Sequence, residues 1–211
     1  MDSQTQLFQV GSFNFKLNHV IVIGVLILAF STSFLMHCES YVNNMVERFK
    51  LNSNSLVVEV AANDGYLLQY FIKLGISCYG IEPTHNTAEA AREKGIEIIE
   101  SFFGLKTAKQ LKLNKNKADL MCANNVLAHV PDINDFVSGF TLLLKPNGVV
   151  TFENPHLLNL IKEKQFDTIY HEHYSYLSVT SVKKIFLTNG LTLFDVEQLP
   201  THGGSLRYFG Q

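Results

Sequence analysis

Leu56–Leu67 reads Leu-Val-Val-Glu-Val-Ala-Ala-Asn-Asp-Gly-Tyr-Leu, and this stretch decides the fold class of the chain. Leu56, Val57, Val58, Val60 and Ala61 are apolar or small, the pattern of a strand covered on both faces, as in a parallel sheet. Asn63-Asp64-Gly65 breaks that strand, and from Tyr66 to Leu74 apolar residues return at helical spacing. Strand, tight turn and helix open a nucleotide-binding βαβ unit. Ala61, Asn63 and Gly65 stand where a dinucleotide fingerprint carries its three glycines, so only one-third of that motif is present.

The carboxylates bear on the cofactor. Asp64 falls where the helix is expected to begin, so its charge competes for the N–H groups and dipole that would hold a pyrophosphate. S-adenosylmethionine has no phosphate; it carries a sulfonium, an ammonium and a carboxylate. Glu59 in the strand and Asp64 at its end are compatible with such a cation. From these two residues alone a plain alternative stands equally, with Asp64 a helix N-cap and Glu59 a polar residue at a sheet end.

Outward from this stretch, strands and helices alternate. Ser77–Ile81 is a short strand stopped by Glu82-Pro83, and Thr84 is placed to cap a helix through Lys94. Ile96–Ile99 is a third strand, Phe102-Phe103-Gly104 turns into a short helix, and Lys109–Lys117 is its solvated tail. Ala118–Ala123 is a fourth strand ending in Asn124-Asn125, Asp132–Leu144 a helix, Pro146-Asn147-Gly148 a turn and Val149–Glu153 a fifth strand. Such alternation implies a parallel sheet with helices on both faces.

Ligands of these sheets bind beyond the carboxyl ends of the strands. That rim collects Ala61–Gly65, Glu82, Phe102–Gly104, Asn124-Asn125 and Glu153–His156. Glu82 lies about 20 residues past the loop, the position from which an acid grips ribose hydroxyls. Phe102 and Phe103 can flank an adenine or fill the core, and one is expected to do each; Asn124 and Asn125 are candidate amide contacts.

The chain has 211 residues, enough for one α/β domain with a substantial core. With a net charge of −2 and no basic patch interleaved with aromatics, nucleic acid is not expected as its main partner; a small-molecule substrate is. Cys38, Cys78 and Cys122 are far apart and lack a CxxC pairing, which points to buried thiols in a reducing, cytoplasmic setting. The first 30 residues are atypical. Leu17–Cys38 holds no Asp, Glu, Lys or Arg, and Val20–Phe30 is almost wholly aliphatic, yet this run is shorter than the about 20 residues a spanning helix needs. A buried strand or helix, or a segment without functional role, is expected there rather than a membrane anchor through residues 20–36. From Thr32 to Lys50 the spacing of Phe34, Leu35, Cys38, Val42, Met45, Val46 and Phe49 predicts an amphipathic helix.

Val57–Leu68 (VVEVAANDGYLL), Gly80–Pro83 (GIEP), Phe102–Gly104 (FFG), Ala128–Phe136 (AHVPDINDF), Gln165–Leu177 (QFDTIYHEHYSYL) and Pro200–Arg207 (PTHGGSLR) follow one another in order. Together they resemble the S-adenosylmethionine-dependent C-methyltransferases that act on nucleotide-linked keto-deoxysugars. The likeness runs from Phe30 to Phe209, and its specific parts are YHEHYSY and THGGSLR. It implies a Rossmann-like class I methyltransferase fold with a mostly parallel seven-stranded sheet, Leu191–Leu199 and Ser205–Phe209 supplying the last two strands and the final one antiparallel. It also implies a zinc domain before this core and an α/β domain after it. No zinc-type cysteines precede Phe30, so residues 31–211 are expected to form the methyltransferase domain alone.

Tyr170-His171-Glu172-His173-Tyr174-Ser175-Tyr176 packs two imidazoles, a carboxylate and three phenols into one heptapeptide. If extended, it puts His171 and His173 on one side and Tyr170, Glu172 and Tyr174 on the other. Two histidines at i, i+2 without a nearby third ligand, and without HExxH, make a poor metal site, and no metal is expected. An aromatic surface loop and acid–base chemistry remain open. The resemblance implies that His173 is a base abstracting a proton beside a ketone, that the resulting enolate takes the sulfonium methyl, and that Glu172 and Tyr170 stand beside the base. His171 and Tyr174 are then candidate substrate contacts. His202 before Gly203-Gly204 is another, although a histidine in a glycine turn is as often structural.

Overall fold

The computed structural model describes residues 7–10, 13–16 and 32–211. A short antiparallel hairpin, β1 (Leu7–Val10) with β2 (Phe13–Lys16), is unforeseen in the sequence reading. The expectation for Val20–Phe30 lies outside the described residues. The amphipathic helix predicted from Thr32 is present as α1 (Thr32–Phe49), and it buries Cys38, Tyr41, Val42 and Met45 at the i, i+3, i+4, i+7 spacing of one helical stripe.

The strands expected in alternation are all found, with shifted ends: β3 (Leu56–Val60), β4 (Ser77–Ile81), β5 (Glu97–Ile99), β6 (Ala118–Asn124) and β7 (Leu144–Pro155). β8 (Leu193–Leu199) and β9 (Ser205–Gly210) complete a seven-stranded sheet in the order β5-β4-β3-β6-β7-β9-β8. Pairing is parallel from β5 to β7, and β9 alone runs against its neighbours. The turn expected at Pro146–Gly148 is absorbed into β7 as an irregularity, the register jumping from Ala118↔Leu144 to Leu120↔Val149.

Helices cover both faces, as the sheet's apolar strands require. On one face α1, α2 (Leu68–Lys73) and α3 (His85–Glu93) pack Tyr41, Met45, Phe71 and Ala88 against Val57, Leu120 and Phe209. On the other, α4 (Leu105–Asn114), α5 (Ile133–Leu143) and α6 (Val179–Thr188) pack Ala108, Phe136, Phe140 and Phe186 against Val58, Met121 and Phe152. Phe103, Phe136, Phe140, Phe152 and Phe186 form a chain of ring contacts, with centroids 4.8 Å apart for both Phe140–Phe152 and Phe103–Phe140. Truncating a ring such as Phe140 to alanine would cost about 3–5 kcal/mol.

Two helix starts are fixed by side chains: Asp132 accepts from the Asp135 N–H at 3.0 Å, and Ser178 from the Ser181 N–H at 3.1 Å. The cap expected of Thr84 is not made. Its own N–H is held by Glu82 Oε1 at 2.9 Å and its carbonyl accepts from Thr87 Oγ1, so its side chain takes no part. Among the described residues no helix is long and apolar enough to cross a membrane.

Candidate active site

The strand order reverses direction between β3 and β6, the place where open sheets of this kind leave a crevice for their ligand. The β3 loop has positive φ at all three fingerprint positions: Ala61 at 59°, Asn63 at 53° and Gly65 at 76°. The glycine-type backbone is thus kept where two glycines are missing. At Gly65 a Cβ would come within 2.2 Å of Ile96 Cδ1, so a bare backbone is required there. Across the crevice Asn125 also has a positive φ, 54°, and its N–H donates to the Glu153 carbonyl at 2.7 Å. Asn124 ends β6 with a buried, unpartnered Oδ1.

Three carboxylates converge on this loop. Glu59 is completely buried, neither oxygen has a partner, and burial first, then the charges of Asp64 and Glu82, push its carboxyl well above the usual range. Asp64 does not begin the helix as expected; α2 starts at Leu68 because Asn63–Leu67 is spent in turns, and Leu67 is its N-cap. Asp64 instead accepts from Lys94 Nζ at 2.7 Å and leaves Oδ1 buried without a partner. Glu82 accepts from the N–H groups of Asn63 at 3.0 Å and Thr84 at 2.9 Å, which ties the loop to the end of β4. Each Glu82 oxygen keeps a lone pair for a further donor.

Of the two rim phenylalanines, Phe103 takes the core place expected for one of them. Phe102 is 81% exposed at the rim, whereas Phe103 packs edge-on to Phe136 and Phe140.

The heptapeptide is not extended. The His173 N–H bonds the Tyr170 carbonyl at 3.1 Å, closing a turn over His171 and Glu172, and the Tyr174 N–H is clipped to the Ala128 carbonyl at 2.8 Å. His171 and His173 therefore do not share a side. His171 is exposed at the turn tip, while His173 turns inward. Because a carbonyl only accepts, His173 Nδ1 carries the proton and donates to the Thr168 carbonyl at 3.0 Å. Its Nε2 lone pair then accepts from the Tyr170 hydroxyl at 3.1 Å. Tyr174 is 65% exposed. Glu172 contributes its carbonyl, which accepts from His129 Nδ1 at 3.1 Å. His202 lies in the short turn Thr201–Gly203, and its side chain is outside the described residues.

His129 was missed in the sequence reading, although it lies in a quoted motif just past β6, at the sheet end where ligands bind. Its ring meets that of His173 at 4.7 Å, and burial first, then the charge of His173, holds its pKa below the ordinary 6.5. A second omission is the set of groups around Glu153. This buried carboxylate accepts from His37 Nε2 at 3.0 Å and from Arg207 Nη2 at 3.0 Å. Burial would raise its pKa, but the hydrogen bond from His37 and the charge of Arg207 outweigh that and hold it below the ordinary carboxylate value. His37 stands 116 residues from Glu153 in the chain, so no local pattern announces the pair. Among the described residues no cluster of three His, Cys, Asp or Glu is suited to a metal ion.

Residues 37–196 match the family described as methyltransferase domain. The chain belongs to this methyltransferase domain family. It has the class I methyltransferase fold. The C-methyltransferase NovU of Streptomyces niveus is 36% identical over 177 residues, a match covering 84% of this chain and 42% of that protein. The ubiquinone biosynthesis O-methyltransferase of Bartonella bacilliformis is 24% identical over 153 residues, covering 66% of this chain and 60% of that protein. The chain thus spans only 42% and 60% of the length of these two curated relatives. Among solved structures, the magnesium protoporphyrin IX methyltransferase ChlM of Synechocystis PCC 6803 with bound SAM shares the fold at a TM-score of 0.62, with 15% identity over 83% of this chain and 78% of that one. An S-adenosylmethionine-dependent methyltransferase of Clostridium acetobutylicum does so at 0.66, with 11% identity over 92% of this chain and 97% of that one.

The crevice fits the cofactor. A buried, partnerless Glu59 with Asp64 and Glu82 close enough to raise its pKa is an arrangement that a cation relieves.

Proposed function

We propose that this domain methylates a carbon beside the ketone of a nucleotide-linked keto-sugar, with His173 as the base. The observation that carries the reading is the double anchoring of His173, Nδ1–H to the Thr168 carbonyl and Nε2 to the Tyr170 hydroxyl. The resemblance of the YHEHYSY and THGGSLR motifs and the likeness to a protein named a C-methyltransferase support it.

Bound S-adenosylmethionine supplies an electrophilic methyl group. Glu59 and Asp64 would face its cationic end and Glu82 its ribose, with Asn63 and Gly65 shaping the loop and Ala61, Asn124, Asn125 and Phe102 lining the rim. His173 does the proton chemistry. The Thr168 carbonyl holds its tautomer, so the basic lone pair sits on Nε2. The acceptor's C–H bond breaks, its proton goes to Nε2, and the electron pair stays on the substrate as an enolate. Tyr170, hydrogen-bonded to that same nitrogen, holds the ring in place before the transfer. His171, Tyr174 and His202 are the proposed contacts to the sugar nucleotide.

A general base contributes roughly 10²–10⁴-fold to rate. His173→Gln should therefore lose methyl transfer and solvent-deuterium exchange at the acceptor carbon by about that factor. S-adenosylhomocysteine binding should persist. Near-normal exchange in His173→Gln, with loss in Glu172→Gln instead, would assign the base to Glu172. The matches to ubiquinone biosynthesis O-methyltransferases favour a second reading, methyl transfer to a hydroxyl; a product methylated on oxygen would establish it.

A further inference from the structure

Beside His173 lies a cavity lined by Ala128, Asn154, Leu160, His173, Ser175 and Leu177, among others. Its free space is that of one water-sized group. Two of its lining side chains hold buried polar atoms without a partner, Asn154 Oδ1 and Ser175 Oγ. Asn154 is 2% exposed and is fixed in β7, where it pairs with Leu206 of β9; its Nδ2 already donates to the Pro155 carbonyl. Ser175 is fixed by the clip of its N–H to the Ala128 carbonyl. Leaving a buried polar atom unpaired costs about 1–3 kcal/mol, so two at one cavity point to a group that pairs with both.

The chemistry of the two atoms is selective. An amide oxygen only accepts, whereas a serine hydroxyl donates or accepts. A group that serves both must donate to Asn154 and can either donate to or accept from Ser175; a hydroxyl does so in either arrangement. A ketone oxygen cannot satisfy Asn154. Of the remaining walls, Ala128, Leu157, Leu160 and Leu177 are apolar, while His173 and Tyr176 bring polar atoms to the same cavity.

We propose that Asn154 and Ser175 form a subsite for one hydroxyl of the acceptor, which sets the acceptor's position against His173 and makes this pair specificity-determining. The inference rests on His173 marking the acceptor site. Specificity of this kind is strong, because an acceptor without the hydroxyl leaves both buried atoms unpaired.

The test compares two keto-sugar nucleotides that differ only by one ring hydroxyl replaced with hydrogen. The full chain and its Ser175→Ala and Ser175→Val variants are assayed for kcat/KM. Binding of each nucleotide to the S-adenosylhomocysteine complex is measured by calorimetry. The wild-type protein should prefer the hydroxylated acceptor by at least about 100-fold, and each variant should cut that preference by about tenfold or more, mainly through KM. Thermal unfolding of each variant confirms that it folds. Equal use of the two acceptors by the wild-type protein overturns the subsite, as does an equal loss on both acceptors in the variants, the result for a site holding only a structural water. A Ser175-dependent binding preference without methyl transfer upholds the subsite and sinks the base assignment. Methyl transfer without any preference does the reverse.

Discussion

The Nδ1 of His129 lies 3.1 Å from the carbonyl oxygen of Glu172, 43 residues later in the chain. This bond docks the heptapeptide turn against the segment after β6 and brings the His129 ring to 4.7 Å from His173. Both imidazoles donate from Nδ1 to a carbonyl, so each is held as the Nε2-basic tautomer.

A pH dependence follows from His129. Its folded pKa is depressed below 6.5 by burial and by His173. The unfolded chain then binds a proton first as pH falls, so stability declines from about pH 6.5 down to the folded value. His129→Gln should flatten that acid slope in thermal unfolding scans between pH 5 and 7. An unchanged slope would show that His129 is not the group responsible.

Glu59 works in the opposite sense. Its folded pKa is raised, by burial first and then by Asp64 and Glu82. The unfolded carboxyl releases its proton at lower pH, so stability falls as pH rises above the ordinary carboxylate range. Glu59→Gln should stabilise the cofactor-free protein at neutral pH, yet weaken S-adenosylmethionine binding by about tenfold through loss of a charged partner. Calorimetry and thermal scans on the same samples test both halves.

Binding of S-adenosylhomocysteine without any NAD binding is expected from a loop on which the carboxylates of Glu59, Asp64 and Glu82 converge, a surrounding unfavourable to a pyrophosphate. Glu82→Ala should cost about 1.5–3 kcal/mol of adenosyl binding, the range for hydrogen bonds to a charged group. Its loss also frees the N–H groups of Asn63 and Thr84, so amide exchange in the β3 loop should quicken. Measurable NAD affinity would overturn the cofactor assignment.

The backbone of that loop offers a stability test. A left-handed alanine costs about 1–2 kcal/mol, and glycine's extra chain entropy returns roughly 0.5–1 of it. Ala61→Gly should therefore stabilise the fold by about 0.5–1 kcal/mol in urea denaturation. Gly65→Ala should destabilise by about 2–4 kcal/mol, since its Cβ meets Ile96 in a strained backbone.

The buried pair of Glu153 and Arg207 is a last target. Glu153→Gln leaves the Arg207 guanidinium, 3% exposed, with Glu197 as its one remaining charged partner among the described residues. A loss of about 3–5 kcal/mol is expected, measurable as a lower denaturation midpoint at constant slope.

The sequence by itself determined the alternating elements of the sheet, because strand and helix periods are local. Val57, Val58 and Val60 cannot avoid a strand between helices, and the stripe of Cys38, Tyr41, Val42 and Met45 makes α1 a surface helix. It also placed Ala61–Gly65, Glu82 and Asn124-Asn125 on one rim, since loops after parallel strands share it. The motif residues Tyr170 and His173 were legible in the same way, as unusual chemistry in a short span. Element ends were less so: the sequence pattern puts a helix start at Asp64, but the turns through Leu67 delay α2 to Leu68.

Only the tertiary structure decided what those residues do to one another. His129 reaches Glu172 across 43 residues and His37 reaches Glu153 across 116, distances over which no periodicity carries information. The heptapeptide turns because Ala128 offers its carbonyl to Tyr174, which an isolated stretch does not reveal. Burial is the common physical reason. Packing removes water from Glu59, His129 and Glu153, and once water is gone the remaining neighbours set each group's charge and reach.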